Sequence, residues 1–178
     1  IIVLLGVRGA GKSTVGARLG AVLGCPFVEL DEHVEARAGL PLAALFDLHG
    51  EAYYRQIEQH CLADLMRRDE PTVVATGGGI VEHLASFELI LRHAQTVWLD
   101  ARAETLWERV VAQGDTRPMA GRDAALTQLR LLLERRNAPY RRALVRVDTD
   151  AALPDRLVGE IAEQLQHLQA DRAVRGIS

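Results

Sequence analysis

The chain has 178 residues, of which 48% are hydrophobic, and its 21 basic and 24 acidic side chains give a net charge of −3. This length and composition fit one domain with a full core. The arginines are scattered and form no basic stripe, which argues against direct nucleic-acid binding, and the apolar runs are too short to span a membrane.

The two cysteines, Cys25 and Cys61, are isolated in the sequence, and the histidines show no zinc-binding spacing. No signal peptide is recognisable, so we expect reduced thiols in a cytoplasmic protein. The chain begins at Ile1 and not at Met, which agrees with a domain taken from a longer polypeptide.

Five short apolar runs predict strands, and helical patterns lie between them. The strands are predicted at residues 1–5, 26–30, 72–76, 96–100 and 144–148. The helices are predicted at about 12–24, 50–69, 83–94, 103–113, 124–137 and 154–170. This alternation predicts a single α/β domain over residues 1–178, with a five-stranded parallel sheet and helices on both faces. Ligands bind such sheets at the carboxyl ends of the strands.

The most specific motif lies between the first predicted strand and the first predicted helix. Residues 6–13 read Gly-x-x-x-x-Gly-Lys-Ser, the pattern of a P-loop that binds nucleotide phosphates. Lys12 is the one lysine in the chain, against twenty arginines, which indicates that position 12 requires a compact ammonium group. The helix N-terminus adds its positive dipole end, and the hydroxyl of Ser13 is placed to bind Mg²⁺.

Other polar and glycine residues follow the next predicted strands. Glu29 and Asp31 come at the end of the second strand, and Gly77, Gly78 and Gly79 follow the third. The polar segment 114–122 joins two predicted helices and is a candidate mobile lid, with Arg117 inside it.

In this order and spacing the motifs resemble the shikimate kinase family, which has the nucleoside-monophosphate-kinase-like P-loop fold. The residues that carry the resemblance are the P-loop, Glu29-Leu30-Asp31, Gly50-Glu51, Tyr54-Arg55, Glu58, Thr76 to Gly79, Arg117-Pro118, Arg136 and Tyr140. The resemblance covers nearly the whole chain. It implies a kinase of aromatic amino acid biosynthesis that transfers phosphate from ATP to shikimate with Mg²⁺, with the acceptor bound by residues of about 31–60 and a lid at about 114–123.

The resemblance also implies a role for individual residues. The nucleotide would be bound by Gly9, Ala10, Gly11, Lys12, Ser13, Thr14, Arg109 and Arg117. The acceptor would be bound by Asp31, Arg55, Gly77, Gly78, Gly79 and Arg136. The metal would be held by Ser13 and Glu29, and the catalytic residues would be Lys12, Asp31 and Arg117.

Three of these groups also have a purely structural explanation. Asp31 can cap the helix that follows it. Arg55 can form ion pairs with Glu51 and Glu58 on a helix surface, each contributing only a few tenths of a kcal/mol. The three glycines can form a strand-to-helix turn that requires positive φ.

The sequence departs from the family pattern at three places. Glu29 stands where the family usually has Asp, Tyr54 replaces the usual Phe, and Met119-Ala120-Gly121 replaces the usual leucines after Arg117-Pro118. Residues 110–121 are similar to the shikimate-kinase-like C-terminal domain of bacterial helix-turn-helix regulators that respond to benzoyl-CoA. The alternative to the kinase is therefore a non-catalytic effector domain that binds an aromatic acyl-CoA. We adopt the kinase interpretation because Asp31, Arg55, Arg117 and Arg136 are all present.

Overall fold

The computed structural model of the chain describes residues 1–114, 121–150 and 152–174. Within them, five strands form one sheet in the order β2-β3-β1-β4-β5, and the strand pairs are parallel. The strands are β1 (Ile2–Leu5), β2 (Phe27–Glu29), β3 (Val73–Ala75), β4 (Gln95–Asp100) and β5 (Val145–Asp148). The predicted five-stranded parallel sheet is confirmed.

Helices connect the strands. They are α1 (Lys12–Leu23), α2 (Leu30–Ala38), α3 (Leu42–Met66), α4 (Leu84–His93), α5 (Ala103–Ala112), α6 (Gly121–Tyr140) and α7 (Pro154–Val174). One turn of 3₁₀ helix, Ile80–Glu82, precedes α4. In the described part of the chain, no helix combines the length and the apolar character needed to cross a membrane.

The sequence pattern missed α2 and residues 42–49 of α3. Helix α2 has nine residues, and its buried side chains are Leu30 and Val34, one helical turn apart, so it offers too few apolar positions for a periodic signal. The predicted start of the next helix at residue 50 coincides with a kink inside α3, where Gly50 has φ 75° and ψ 176°. A backbone with this φ favours glycine.

The core lies on both faces of the sheet. Val3, Leu4 and Leu5 of β1 are fully buried, as expected of a central parallel strand covered on both sides. Helix α1 packs so closely on β2 that a Cβ added to Gly16 would lie only 2.2 Å from the ring of Phe27. At the other side of the sheet, the ring of Trp98 stacks on that of Tyr140 with centroids 5.6 Å apart. Because the strands are parallel, the carboxyl ends of β1, β2 and β3 lie together at one edge of the sheet.

Candidate active site

The P-loop joins the end of β1 to the start of α1. Gly9 and Gly11 have φ of 82° and 94°, values that side-chain-bearing residues rarely adopt. The first amide groups of α1, which begins at Lys12, have no intrahelical acceptors, and no side chain caps them. The loop therefore presents backbone donors and a helix N-terminus, as an anion site requires.

Lys12 lies across this loop. Its Nζ donates to the carbonyl oxygens of Gly6 at 2.8 Å and Val7 at 3.0 Å. Burial lowers the pKa of the Lys12 ammonium to about 8, although Glu29 and Asp31 act in the opposite direction. The ammonium group is thus held by two neutral carbonyl oxygens.

A cleft of about 500 Å³ opens beside the loop. Its lining comprises Arg8, Gly9, Gly11, Lys12, Ser13, Thr14, Glu29, Asp31, Leu42, Thr76, Gly77, Gly78 and Gln113. The structure thus brings together, at the ends of β1, β2 and β3, most of the residues that the sequence pattern assigned to phosphate, metal and acceptor. Ala10 of the P-loop is fully buried and lies in the wall of a neighbouring cavity.

Asp31 sits in the first turn of α2 and faces α3. Its Oδ1 lies 2.9 Å from the hydroxyl of Tyr54, and that hydroxyl lies 2.8 Å from Oε1 of Glu58. Helix α2 is preceded by Glu29, and no side chain caps it. Asp31 therefore does not serve as the helix cap that was its structural alternative. The hydroxyl of Tyr54 was not foreseen as a contact, and the Tyr in place of the family's usual Phe was the available signal.

Arg55 forms both of the ion pairs that helical spacing predicted. It contacts Glu51 at 3.1 Å and Glu58 at 2.9 Å, but Glu58 is completely buried and only 17% of the Arg55 side chain is exposed. A buried carboxylate of this kind requires its partner, because an unpaired buried charge is costly. Arg55 is therefore not part of a solvated helix surface.

Arg136 of α6 approaches Arg55 at the glycine turn after β3. A Cβ added to Gly79 would lie 2.5 Å from Nη2 of Arg55 and 3.5 Å from Nη2 of Arg136. Tyr140 anchors the same turn, since its hydroxyl donates to the carbonyl of Gly78 at 2.8 Å. We call Arg55 and Arg136 the arginine pair. Both guanidinium groups therefore lie against Gly79, next to Gly78 in the wall of the cleft.

A second cavity of about 580 Å³ adjoins the cleft on the α7 side. Arg109 forms part of its wall and donates to the backbone oxygen of Thr149 at 2.6 Å and to its hydroxyl at 3.0 Å. Leu153 and Pro154 add an apolar surface. A cavity with apolar and polar side chains next to a phosphate loop suits a nucleoside base.

The lid prediction falls largely outside the described residues. Arg117 lies between residues 114 and 121, a segment that the structure does not describe. Gly114 follows α5 with φ 77°, and α6 already begins at Gly121, so the predicted lid at about 114–123 overlaps the first residues of a helix.

The metal prediction rests on Ser13 and Glu29, which line the same cleft. Among the described residues, no group of three His, Cys, Asp or Glu side chains is arranged to hold a metal ion by itself. Mg²⁺ bound with a nucleotide needs only one or two protein oxygens, since phosphates and water supply the others. A hydroxyl and a carboxylate fit that requirement.

The geometry has counterparts among known proteins. A sequence model of the family described as shikimate kinase matches residues 8–166. A shikimate kinase of Symbiobacterium thermophilum is 40% identical over 177 residues, covering 98% of this chain and 99% of the relative. One of Synechococcus is 38% identical over 161 residues, covering 90% of this chain and 84% of the relative.

Solved structures agree with the sequence relatives. The shikimate kinase of Acinetobacter baumannii in complex with shikimate superposes with a TM-score of 0.82 at 28% identity, covering 96% of this chain and 93% of that one. A gluconokinase of Sinorhizobium meliloti, with a TM-score of 0.61 at 24% identity, shares the fold. The family match over most of the chain and the full-length relatives lead to one conclusion: the chain belongs to the shikimate kinase family.

Proposed function

We propose that this protein transfers the terminal phosphate of ATP to a hydroxyl of shikimate, giving 3-phosphoshikimate. The observation that carries the proposal is the convergence of the P-loop, Asp31 and the arginine pair on one side of the sheet. Relatives of nearly the same length carry the name shikimate kinase, and the A. baumannii enzyme is described in complex with shikimate.

The acceptor would bind through its carboxylate and one hydroxyl. The arginine pair offers planar donors whose geometry matches a carboxylate. The carboxylate of Asp31 lines the cleft together with the P-loop and lies near Gly77, so it could orient the acceptor hydroxyl and take its proton. Gly77, Gly78 and Gly79 would add backbone contacts without steric obstruction.

ATP would lie across the two cavities. Its phosphates would bind the amides of residues 9–14, and Lys12 would exchange its two carbonyl acceptors for phosphate oxygens. Ser13 and Glu29 would hold Mg²⁺, which supplies charge neutralisation on the phosphates. The base would lie beside Arg109, and Arg117 would contact the phosphates from the lid.

A coupled assay of ADP release tests the proposal. Shikimate should be required for ADP release in the presence of ATP and Mg²⁺, and Asp31→Asn should lower kcat by about 10²–10⁴-fold because the proton acceptor is lost. A thermal-shift panel of ATP, shikimate, CoA and benzoyl-CoA runs beside it. If shikimate produces no ADP and benzoyl-CoA raises the unfolding temperature strongly, the protein is the acyl-CoA effector domain and not the kinase.

A further inference from the structure

Arg136 is already occupied by a carboxylate of the protein. Glu82, the last residue of the 3₁₀ turn, accepts hydrogen bonds at Oε2 from Nε of Arg136 at 2.9 Å and from its Nη2. The neighbouring Arg135 adds a weaker contact, with its Nη2 3.3 Å from Oε1 of Glu82. Glu82 therefore takes the Nε–Nη2 edge of Arg136, one of the two edges by which a guanidinium binds a carboxylate bidentately.

The two members of the arginine pair differ in how firmly their partners are held. Arg55 has two partners: Glu58, which is fully buried and also contacts the hydroxyl of Tyr54, and Glu51, which is 71% exposed. Glu82 is 41% exposed at the rim of the site and has water available to its carboxylate. Arg136, in contrast, is only 15% exposed. Water can therefore solvate Glu82 when another anion takes its place on Arg136, whereas Glu58 would be left buried without its cation.

Glu82 also has the charge of an acceptor carboxylate. The hydrogen bond from Arg136 lowers the pKa of the Glu82 carboxyl, with Arg135 and Arg55 adding to the effect. Glu82 is thus an anion at neutral pH, as an acceptor carboxylate would be. An acceptor carboxylate that binds the same edge of Arg136 would therefore have to displace Glu82.

We propose that Glu82 is an internal competitor for Arg136 that the carboxylate of the acceptor displaces, and that it thereby raises the KM for the acceptor. This rests on the proposed function, in which the acceptor carboxylate binds the arginine pair. Glu82 lies three residues after Gly79, on the turn beside which the arginine pair converges, so its release frees the arginine edge without moving a strand or helix.

The test compares Glu82→Gln with Glu88→Gln. Glutamine keeps the size of the side chain and removes its charge. Glu88 is the matched control because it is a half-buried carboxylate of the adjoining α4 that pairs with Arg142 at 2.7 Å. Glu82→Gln should lower the KM for shikimate about two- to fivefold, the range expected for a partly exposed ion pair, with kcat and the KM for ATP unchanged. Glu88→Gln should leave all three constants unchanged.

A second measurement needs no acceptor. Phenylglyoxal modifies accessible arginines, and peptide mass spectrometry gives the rate at each position. Glu82→Gln should accelerate modification of Arg136 several-fold, and Glu88→Gln should leave that rate unchanged. An unchanged KM for shikimate in Glu82→Gln would show that Glu82 does not compete with the acceptor, and a higher KM would show that it orients Arg136; either result would overturn the proposal. An unchanged modification rate of Arg136 in Glu82→Gln would overturn the proposal as well.

The two proposals fail in different ways. A wild-type protein without shikimate-dependent ADP release refutes the kinase activity. The modification rate of Arg136 still decides whether Glu82 occupies that guanidinium, because phenylglyoxal requires neither ATP nor shikimate.

Discussion

The hydroxyl of Tyr54 lies 2.9 Å from the carboxylate of Asp31, the residue proposed to receive the acceptor proton. The same hydroxyl lies 2.8 Å from Glu58, and a phenol can donate only one hydrogen bond at a time. Burial, together with the charges of Glu58 and Asp31, raises the pKa of Tyr54, so the hydroxyl remains a donor throughout the working pH range. Tyr54 therefore links the candidate base on α2 to the ion pair on α3.

Replacing Tyr54 tests this link through stability. Tyr54→Phe removes one donor from a fully buried carboxylate, so we expect the free energy of unfolding to fall by about 1–3 kcal/mol. Turnover should change less than tenfold, because the family usually has Phe here. Urea denaturation gives the first quantity and the ADP assay the second. The control is Tyr53→Phe, since Tyr53 is 43% exposed and its loss of a hydroxyl should leave stability unchanged. Equal stabilities of both variants would mean that the Tyr54 contacts are weak.

Lys12 makes nucleotide binding dependent on pH. Its pKa of about 8 in the free protein should rise when phosphates replace the two carbonyls. Between these two pKa values ATP binding takes up a proton, and ATP affinity falls as pH rises above about 8. At pH 6.5 the amine is already protonated and this uptake disappears. Calorimetry in two buffers with different ionisation enthalpies measures the uptake.

The control for this prediction is Lys12→Met, which lacks the titrating group. Its ATP affinity should be greatly reduced, and the ATP binding that remains should take up fewer protons at pH 8 than in the wild type, because the Lys12 amine is missing. Undiminished ATP affinity in Lys12→Met would contradict the P-loop assignment.

The arginine pair should act on the acceptor and not on ATP. Arg55→Ala and Arg136→Ala each remove a charge-assisted contact, so we expect a loss of about 2–4 kcal/mol of transition-state stabilisation in kcat/KM for shikimate. The KM for ATP should stay the same. Arg67→Ala, at the exposed C-terminal end of α3, is the control and should leave both unchanged. Normal kinetics in either variant would show that the replaced arginine does not bind the acceptor.

Glu29 should tolerate the shorter acid. Its carboxylate caps no helix and lines the cleft, so Glu29→Asp should not alter the fold. Because Mg²⁺ requires close to octahedral geometry, restoring the family's usual Asp should leave turnover equal or faster and lower the Mg²⁺ concentration for half-maximal activity. A Mg²⁺ titration of ADP release measures this. A large loss of activity would show that the longer side chain is adapted to this site.

Several elements were predictable because their signals are local. The P-loop is one continuous segment, and its glycines, lysine and serine carry their function in their order along the chain. The strands β1 and β4 have enough consecutive buried residues to form a clear pattern. Helix α2 escaped because nine residues with two buried positions do not make a readable period. Its stability comes from packing on α3, which no local pattern contains.

The sequence by itself determined the phosphate loop and the parallel α/β architecture, and its resemblance to shikimate kinases identified Asp31, Arg55 and Arg136 as candidates. Only the tertiary structure decided what those side chains contact. Arg136 and Glu82 are 54 positions apart and meet because α6 packs beside the turn after β3. Tyr54 reaches Asp31 because α2 and α3 fold against each other. Hydrogen bonds and charge compensation depend on distances of a few ångströms, which chain order alone does not specify.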